Sequence, residues 1–218
     1  FTNNASITAQ GVTVNHTGNV LFNGAVDGQA GDVLVNGIDI TSTTNGTING
    51  ATITLTAGGN VSLAAAVTGA VAFTSTGVNF TNTASITAAG ITVTHTGAVN
   101  IQGALAAGAD DILLTGTSIA STVPGTMNGH IVTLTATAGD VTVGGIVTAT
   151  GLFTSTGVAF TNTASITGLG LTIDHTGAVN IQAALDGTTA NVLIDGSSFV
   201  STVAGTINGA AITLHSGN

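Results

Sequence analysis

The sequence predicts an all-β fold, a right-handed parallel β-solenoid of about 11 coils, with about 20 residues and three short strands in each coil. Three observations point there: an internal repeat, a finer period of paired apolar residues inside it, and a composition that favours strands and turns. The repeat is plain in the headers FTNNASITAQGVTVNHTG from Phe1, FTNTASITAAGITVTHTG from Phe80 and FTNTASITGLGLTIDHTG from Phe160, spaced by 79 and 80 residues. Similarity continues through GNVLFNGAVDG, GAVNIQGALAAG and GAVNIQAALDG, and again through NGTINGATITL, PGTMNGHIVTL and AGTINGAAITL. The chain therefore divides into repeats 1–79, 80–159 and 160–218, the third incomplete, forming a single solenoid.

The finer period appears when apolar pairs of the form Φ-x-Φ are followed. Val12/Val14, Val33/Val35, Ile53/Leu55, Val71/Phe73, Ile91/Val93, Ile112/Leu114 and Val132/Leu134 recur mostly at 20 or 21 residues. After a weaker step around Phe153 the series resumes at Leu171/Ile173, Val192/Ile194 and Ile212/Leu214. A second pair follows about eight positions later, as in Val20/Phe22, Val61/Leu63, Val78/Phe80, Val99/Ile101, Val141/Val143 and Val179/Ile181. Single apolar residues such as Val26, Val67, Ile86, Leu105, Val147, Ile166 and Leu185 then close many coils.

Because side chains alternate along a strand, the two apolar residues of Φ-x-Φ share one face and the residue between them takes the other. A coil of this length cannot bury its inner face alone. Stacking at the ~4.8 Å strand spacing supplies the missing cover and makes a rod roughly 50 Å long. Asn-Gly and Asp-Gly fit the corners, where positive φ is often needed. Those dipeptides also favour hairpins. An outer-membrane barrel, however, needs strands of about ten residues and aromatic girdles, and this chain has short pairs, no Trp and no Tyr.

Composition excludes several function classes. Lys and Arg are absent, and nine acidic residues leave a net charge of -9. All nine are Asp. An acidic chain without a basic residue repels nucleic acid and anionic membrane surfaces, so neither is an expected partner. Apolar residues make up 43% of the chain, too many for a disordered one. Thr at 42 residues and Gly at 32, against one Pro, favour strands and turns over helix. Cys is absent, which removes disulfides, thiolate metal sites and a Cys nucleophile. The most apolar run, Val61 to Phe73, is broken by Ser62, Thr68 and Gly69, so no membrane-spanning helix is expected. The chain opens at Phe1 with neither Met nor a basic stretch, and reads as a mature product or an excerpt of a longer array.

The run ITLTAGGNVSLAAAVTGAVAF, with Φ-x-Φ, a Gly-Asn corner and Φ-x-Φ again, resembles the repeats of filamentous haemagglutinin. The resemblance spans nearly the whole chain. It implies a triangular parallel β-helix from a large exoprotein of a Gram-negative bacterium, secreted by a two-partner system. The expected location is accordingly extracellular or at the cell surface. The family's N-terminal secretion domain has no counterpart in this sequence, and a complete lack of Lys and Arg is unusual within it.

Candidate chemistry is sparse. Parallel β-helices also host polysaccharide lyases and hydrolases, whose sites need close carboxylates and often a basic residue. Asp110 and Asp111 are adjacent, so in a strand they would face opposite sides. Asp111 has repeat equivalents at Asp32 and Asn191. No catalytic residue is assigned and no enzyme is expected. Hard cations take carboxylate and carbonyl oxygens, which makes Asp27, Asp32, Asp110, Asp111 and Asp186 weak calcium candidates; no other cofactor is expected. His16, His95 and His175 share one position of the repeat. Four coils would separate them by roughly 19 Å, too far to share a metal with ~2.1 Å bonds. They read as repeated surface or corner residues.

Thr-x-Thr occurs at Thr41/Thr43, Thr52/Thr54/Thr56, Thr74/Thr76, Thr81/Thr83, Thr92/Thr94/Thr96, Thr133/Thr135/Thr137, Thr154/Thr156 and Thr161/Thr163. Stacked Thr rows are how some ice-binding solenoids order water, while outward β-branched residues with good strand propensity explain the same pattern. The function these observations favour is the structural shaft of an extracellular fibre, surface adhesin, or matrix or sheath filament. A solenoid module that binds a glycan or host protein is the alternative, and ice binding a more remote one. The coil expected after Ile212/Leu214 is missing and no polar cap is evident. The expected partner is therefore the protein itself, stacked end to end or associated laterally into filaments.

Overall fold

The computed structural model describes residues 1–217, and its elements are all strands. The chain winds into eleven coils, each laying a strand on three successive faces. Face one begins with Thr2–Asn3 and Val20–Phe22 and ends with Ser198–Ser201. Face two runs from Ile7–Thr8 to Ile207–Asn208, and face three from Val12–Asn15 to Ile212–Ser216. In the third and fourth coils faces two and three are continuous, because Ile48–Ala57 and Val67–Gly77 pass through the corner as single strands. Every ladder is parallel and joins one coil to the next: Val12 pairs with Val33, Val33 with Ile53, and Ile53 with Phe73.

Alternation places one residue in two inside. Along face three the inward pairs include Val33/Val35, Ile53/Leu55, Ile91/Val93, Ile112/Leu114 and Val132/Leu134, all buried. Face two contributes one large inward residue per coil, with Met127 standing among Val, Ile and Leu equivalents, and small residues such as Ala107 and Ala149 beside it. Each residue lies over its counterpart in the next coil, so the core is a set of columns. At about 1.5–3 kcal/mol for each large apolar side chain buried, these columns are the main term opposing chain entropy.

Two predicted pairs lie two residues away from their expected places. Val71 is exposed, and the inward pair is Phe73/Ser75; Val78 is also exposed, and the pair is Phe80/Asn82. The cause is a polar residue at an inward position, which a search for apolar pairs steps over. The weak step at Phe153 has the same origin, since its inward partner is Ser155. The spacing contracts at both places. Phe73 to Ile91 and Phe153 to Leu171, stacked neighbours on face three, are 18 residues apart instead of 20 or 21.

Inward polar residues explain why the sequence repeats every four coils rather than every one. The second inward position of face one reads Asn3, Phe22, Ser42, Leu63, then Asn82, Ile101, Ser121, Val143, then Asn162, Ile181, Ser201. The corner that follows turns backbone groups toward the interior, where they need partners. Asn82 Nδ2 donates to the carbonyls of Ala84 and Gly103 at 2.9 and 3.0 Å, and Asn162 Nδ2 to those of Ala164 and Ala183 at 3.2 and 2.9 Å. Ser42 Oγ accepts from the amides of Ala64 and Ala65, and Ser121 Oγ from those of Gly144 and Gly145, at 3.1–3.3 Å. Each Asn thus ties its own corner to the next one, each Ser holds the corner of the coil that follows, and the coil between can carry an apolar residue.

The glycine of the NGT, PGT and AGT motifs sits where the next turn crosses the coil before it. A Cβ on Gly46, Gly125 or Gly205 would overlap the carbonyl oxygen of Phe22, Ile101 or Ile181.

Asn82→Ala leaves two corner carbonyls without a donor and should lower stability by about 2–3 kcal/mol. Thr81→Ala, one residue away and facing outward, should stay within about 0.5 kcal/mol. Urea unfolding of the two variants checks this; equal losses would contradict the corner-pinning role.

Candidate functional site

The five aspartates do not form one cluster. Asp27 and Asp186 hold equivalent turns after face two, in which Gln29 and Thr188 both adopt φ of 52°. Left-handed backbone is costly for residues other than Gly. Asp27 Oδ1 offsets that by accepting the Gln29 amide at 2.8 Å and Asn49 Nδ2 at 2.9 Å. Asp186 Oδ1 does the same for the Thr188 amide and Asn208 Nδ2, at 2.8 and 2.9 Å. In the middle repeat Ala106 replaces the aspartate, and the left-handed residue is Gly108.

Asp32 and Asp111 are equivalents at the next corner, where Oδ1 accepts the amide of Thr52 or of Ile131 at 3.0 Å. Asp111 Oδ1 also lies 3.3 Å from His130 Nδ1. Asp110 and Asp111 both lie in the turn before the strand Ile112–Gly116 and are both exposed, so the alternation of a strand does not apply to them. The candidates occupy the second, sixth and tenth coils, so the sets are separated by four coils, roughly 19 Å. Among the described residues no three His, Cys, Asp or Glu side chains are close enough to hold a metal. These carboxylates tie turns together.

The repeated histidines divide. His16 is exposed, with its Nδ1 accepting the Gly18 amide at 3.0 Å. His95 and His175 are buried, which corrects the expectation of surface residues. Each closes a face-three strand, turns inward, and meets the polar residue of the previous coil: His95 Nε2 is 3.0 Å from Ser75 Oγ, and His175 Nε2 is 2.9 Å from Ser155 Oγ. Phe80 and Phe160 pack against the rings with centroids 5.4 and 5.3 Å away. The ring packs over Gly77 or Gly157 of the neighbouring coil; a Cβ on either would stand 3.0 or 3.1 Å from the imidazole Cε1, closer than ordinary contact. This arrangement joins four separated motif residues into one internal cluster, which no local pattern in the sequence reveals.

A Ser–His contact at this distance has the geometry of an activated nucleophile. Here Ser75 and Ser155 have no solvent exposure, and Nδ1 of both histidines lacks a hydrogen-bond partner that would orient it. The cluster reads as packing. Burial lowers both imidazoles from 6.5 to about 4, against an opposing pull on His175 from the charges of Asp174 and Asp140.

Face three carries the most regular outward surface. Its two outward columns in coils three to eight read Thr54/Thr56, Thr74/Thr76, Thr92/Thr94, Leu113/Thr115, Thr133/Thr135 and Thr154/Thr156, each residue in register with the next. Three of the predicted Thr-x-Thr pairs belong elsewhere, because Thr41/Thr43, Thr81/Thr83 and Thr161/Thr163 lie on face one and the corner after it. Beside the array, the short corner at Gly90 next to the longer one at Asp110 and Asp111 leaves a shallow depression of about 440 Å³, lined also by Thr92, Leu113, Ile131 and Thr133.

No protein-family model, curated protein or solved structure matches this chain.

In the window between pH 6.5 and about 4 an unfolded histidine binds a proton that buried His95 and His175 do not. Their contribution to stability is therefore full above pH 6.5 and lost as pH falls toward 4. Thermal melts across that range should show the midpoint falling with acidity, and His95→Leu/His175→Leu should remove much of the slope. An unchanged slope would contradict the assignment to these two histidines. Asp27→Ala should destabilise by about 1 kcal/mol, and Gln29→Gly added to it should recover part of the loss; chemical denaturation of the single and double variants tests the pairing.

Proposed function

We propose that the chain is a structural segment of an extracellular fibre, the shaft of a surface adhesin or of a matrix or sheath filament, and not an enzyme. The supporting observation is the uninterrupted stack: among the described residues eleven coils share three faces with no inserted domain, and the inward polar residues serve the packing of coil on coil. A rod so built supplies length and stiffness. The lack of Lys and Arg also leaves trypsin-like proteases no site within it. The likeness of its repeats to filamentous haemagglutinin supports secretion and a bacterial surface, and the absence of basic residues argues against nucleic acid and against an anionic membrane surface as partners.

The proposed partner is a further set of coils of the same kind. Stacking end to end, or associating laterally into filaments, extends the packing that each coil already needs from its neighbours. A glycan-binding role is the second reading, favoured by the depression at Gly90, Asp111 and Leu113, where carboxylates border apolar side chains as a sugar ring would require.

Electron microscopy of the purified chain over a concentration series should show rods about 50 Å long that lengthen along their axis. Compact particles, or rods that never extend, would contradict the shaft reading. A glycan array binding strongly at one sugar class, and losing it on Asp111→Ala, would favour the second reading.

A further inference from the structure

We propose that face three is an ice-binding surface, a function separate from the shaft and independent of it. The carrying observation is that threonine is concentrated on this face rather than spread by strand propensity. In coils three to eight, eleven of the twelve positions in its two continuous outward columns are Thr, Leu113 being the exception, while the third outward position of its longer strands is Thr52, Ala72 or Gly90. The outward positions of face one in the same coils are Thr41, Ser62, Thr81, Ala98, Asn100, Ser118, Ala120 and Thr142, and those of face two are Asn49, Thr68, Thr87, Ala106, Asn128 and Thr148. The strands of face three are the longest, but every position compared on the three faces lies within a strand. A preference for β-branched residues alone would have filled them alike.

The second observation concerns the hydroxyl groups. Thr43, Thr96 and Thr137, at the corners, donate to backbone carbonyls. Among the described residues none of the eleven array threonines has a side-chain hydrogen bond within the protein, so their hydroxyls remain available to water; Thr56 and Thr94 are exposed and the others part-exposed. No charged residue interrupts the two columns in these six coils. Asp174 and Asp195 enter only beyond them.

The third observation is the lattice. Parallel strands repeat the threonines at ~4.8 Å from coil to coil, and alternation repeats them at ~6.6 Å along each strand, giving a two-dimensional grid about 24 Å long. These two intervals resemble the oxygen repeats on a prism face of hexagonal ice. Liquid water and soluble glycans have no such periodicity in two directions. A fixed grid of methyl and hydroxyl groups can hold a first layer of water in positions that a growing crystal shares, at little further entropic cost, because the rod is rigid before it binds.

Thermal hysteresis and inhibition of ice recrystallisation by the full chain test this. The intact protein should show both, and Thr94→Lys and Thr135→Lys should lose most of each effect while keeping the parent's circular dichroism and melting temperature. Thr142→Lys on face one and Thr148→Lys on face two should behave as the parent does. Leu113→Thr, which completes the grid, should raise the activity. The proposal is overturned if the parent chain matches an inert protein of equal concentration in both assays, or if substitutions on faces one and two reduce activity as much as those on face three. Sedimentation showing copies pairing through face three, abolished by Thr94→Lys and unaccompanied by hysteresis, would overturn it in favour of a self-interface.

Discussion

Everything in this structure depends on one constraint: a single coil of about twenty residues can neither bury its inward side chains nor satisfy its own backbone groups. Both needs are met by the coil before and the coil after. The amide ladder fixes the vertical spacing, and the inward columns fix the register, since a slip of one residue would turn every Val and Ile outward. Local irregularity is tolerated only where the neighbouring coil accommodates it. The positive φ of Gln29 and Thr188 is matched by the Asp that caps it, and the His95 ring by the missing side chain at Gly77.

A column of identical apolar residues would satisfy the core but not the corners. Asn3, Asn82 and Asn162, with Ser42 and Ser121, supply the corner donors and acceptors, and placing them in alternate coils yields a four-coil unit. The Ser–His–Phe cluster adds a second internal mark once per unit, at Ser75, His95 and Phe80 and again at Ser155, His175 and Phe160. Such marks set the phase of the stack. A coil out of sequence would leave a buried amide or imidazole opposite an apolar residue, at a cost of about 1–3 kcal/mol for each unpaired group.

The sequence was legible where apolar residues alternate and opaque where the inward residue is polar. Val33/Val35 and Ile112/Leu114 announce their strands, whereas Phe73/Ser75 and Phe80/Asn82 hide theirs, because hydropathy does not distinguish a pinned inward Asn from a solvated one. Burial of His95 and His175 was equally hidden: the partners that make it tolerable, Ser75, Gly77 and Phe80, lie 15 to 20 residues away and are brought together by stacking. The aspartates read as a ligand set only while their coil positions are unknown. Threonine shows the reverse case. Its abundance is obvious, but its concentration on one face emerges only after each strand has been assigned to a side of the rod. Surface chemistry and core chemistry are thus separable here: the columns inside make the rod, and what the rod meets is decided by outward residues that packing leaves free.

The most direct measurement is disulfide trapping, which the complete lack of native cysteine makes clean. Thr133 and Thr154 are stacked partners on face three, whereas Thr156 lies two residues further along the strand of Thr154. Cysteines at stacked positions stand ~4.8 Å apart, within disulfide range, and diagonal ones about 8 Å apart, beyond it. Mild oxidation should therefore close Thr133→Cys/Thr154→Cys rapidly within one chain and leave Thr133→Cys/Thr156→Cys open. Equal rates, or closure of the diagonal pair alone, would contradict the parallel register on which the whole account rests.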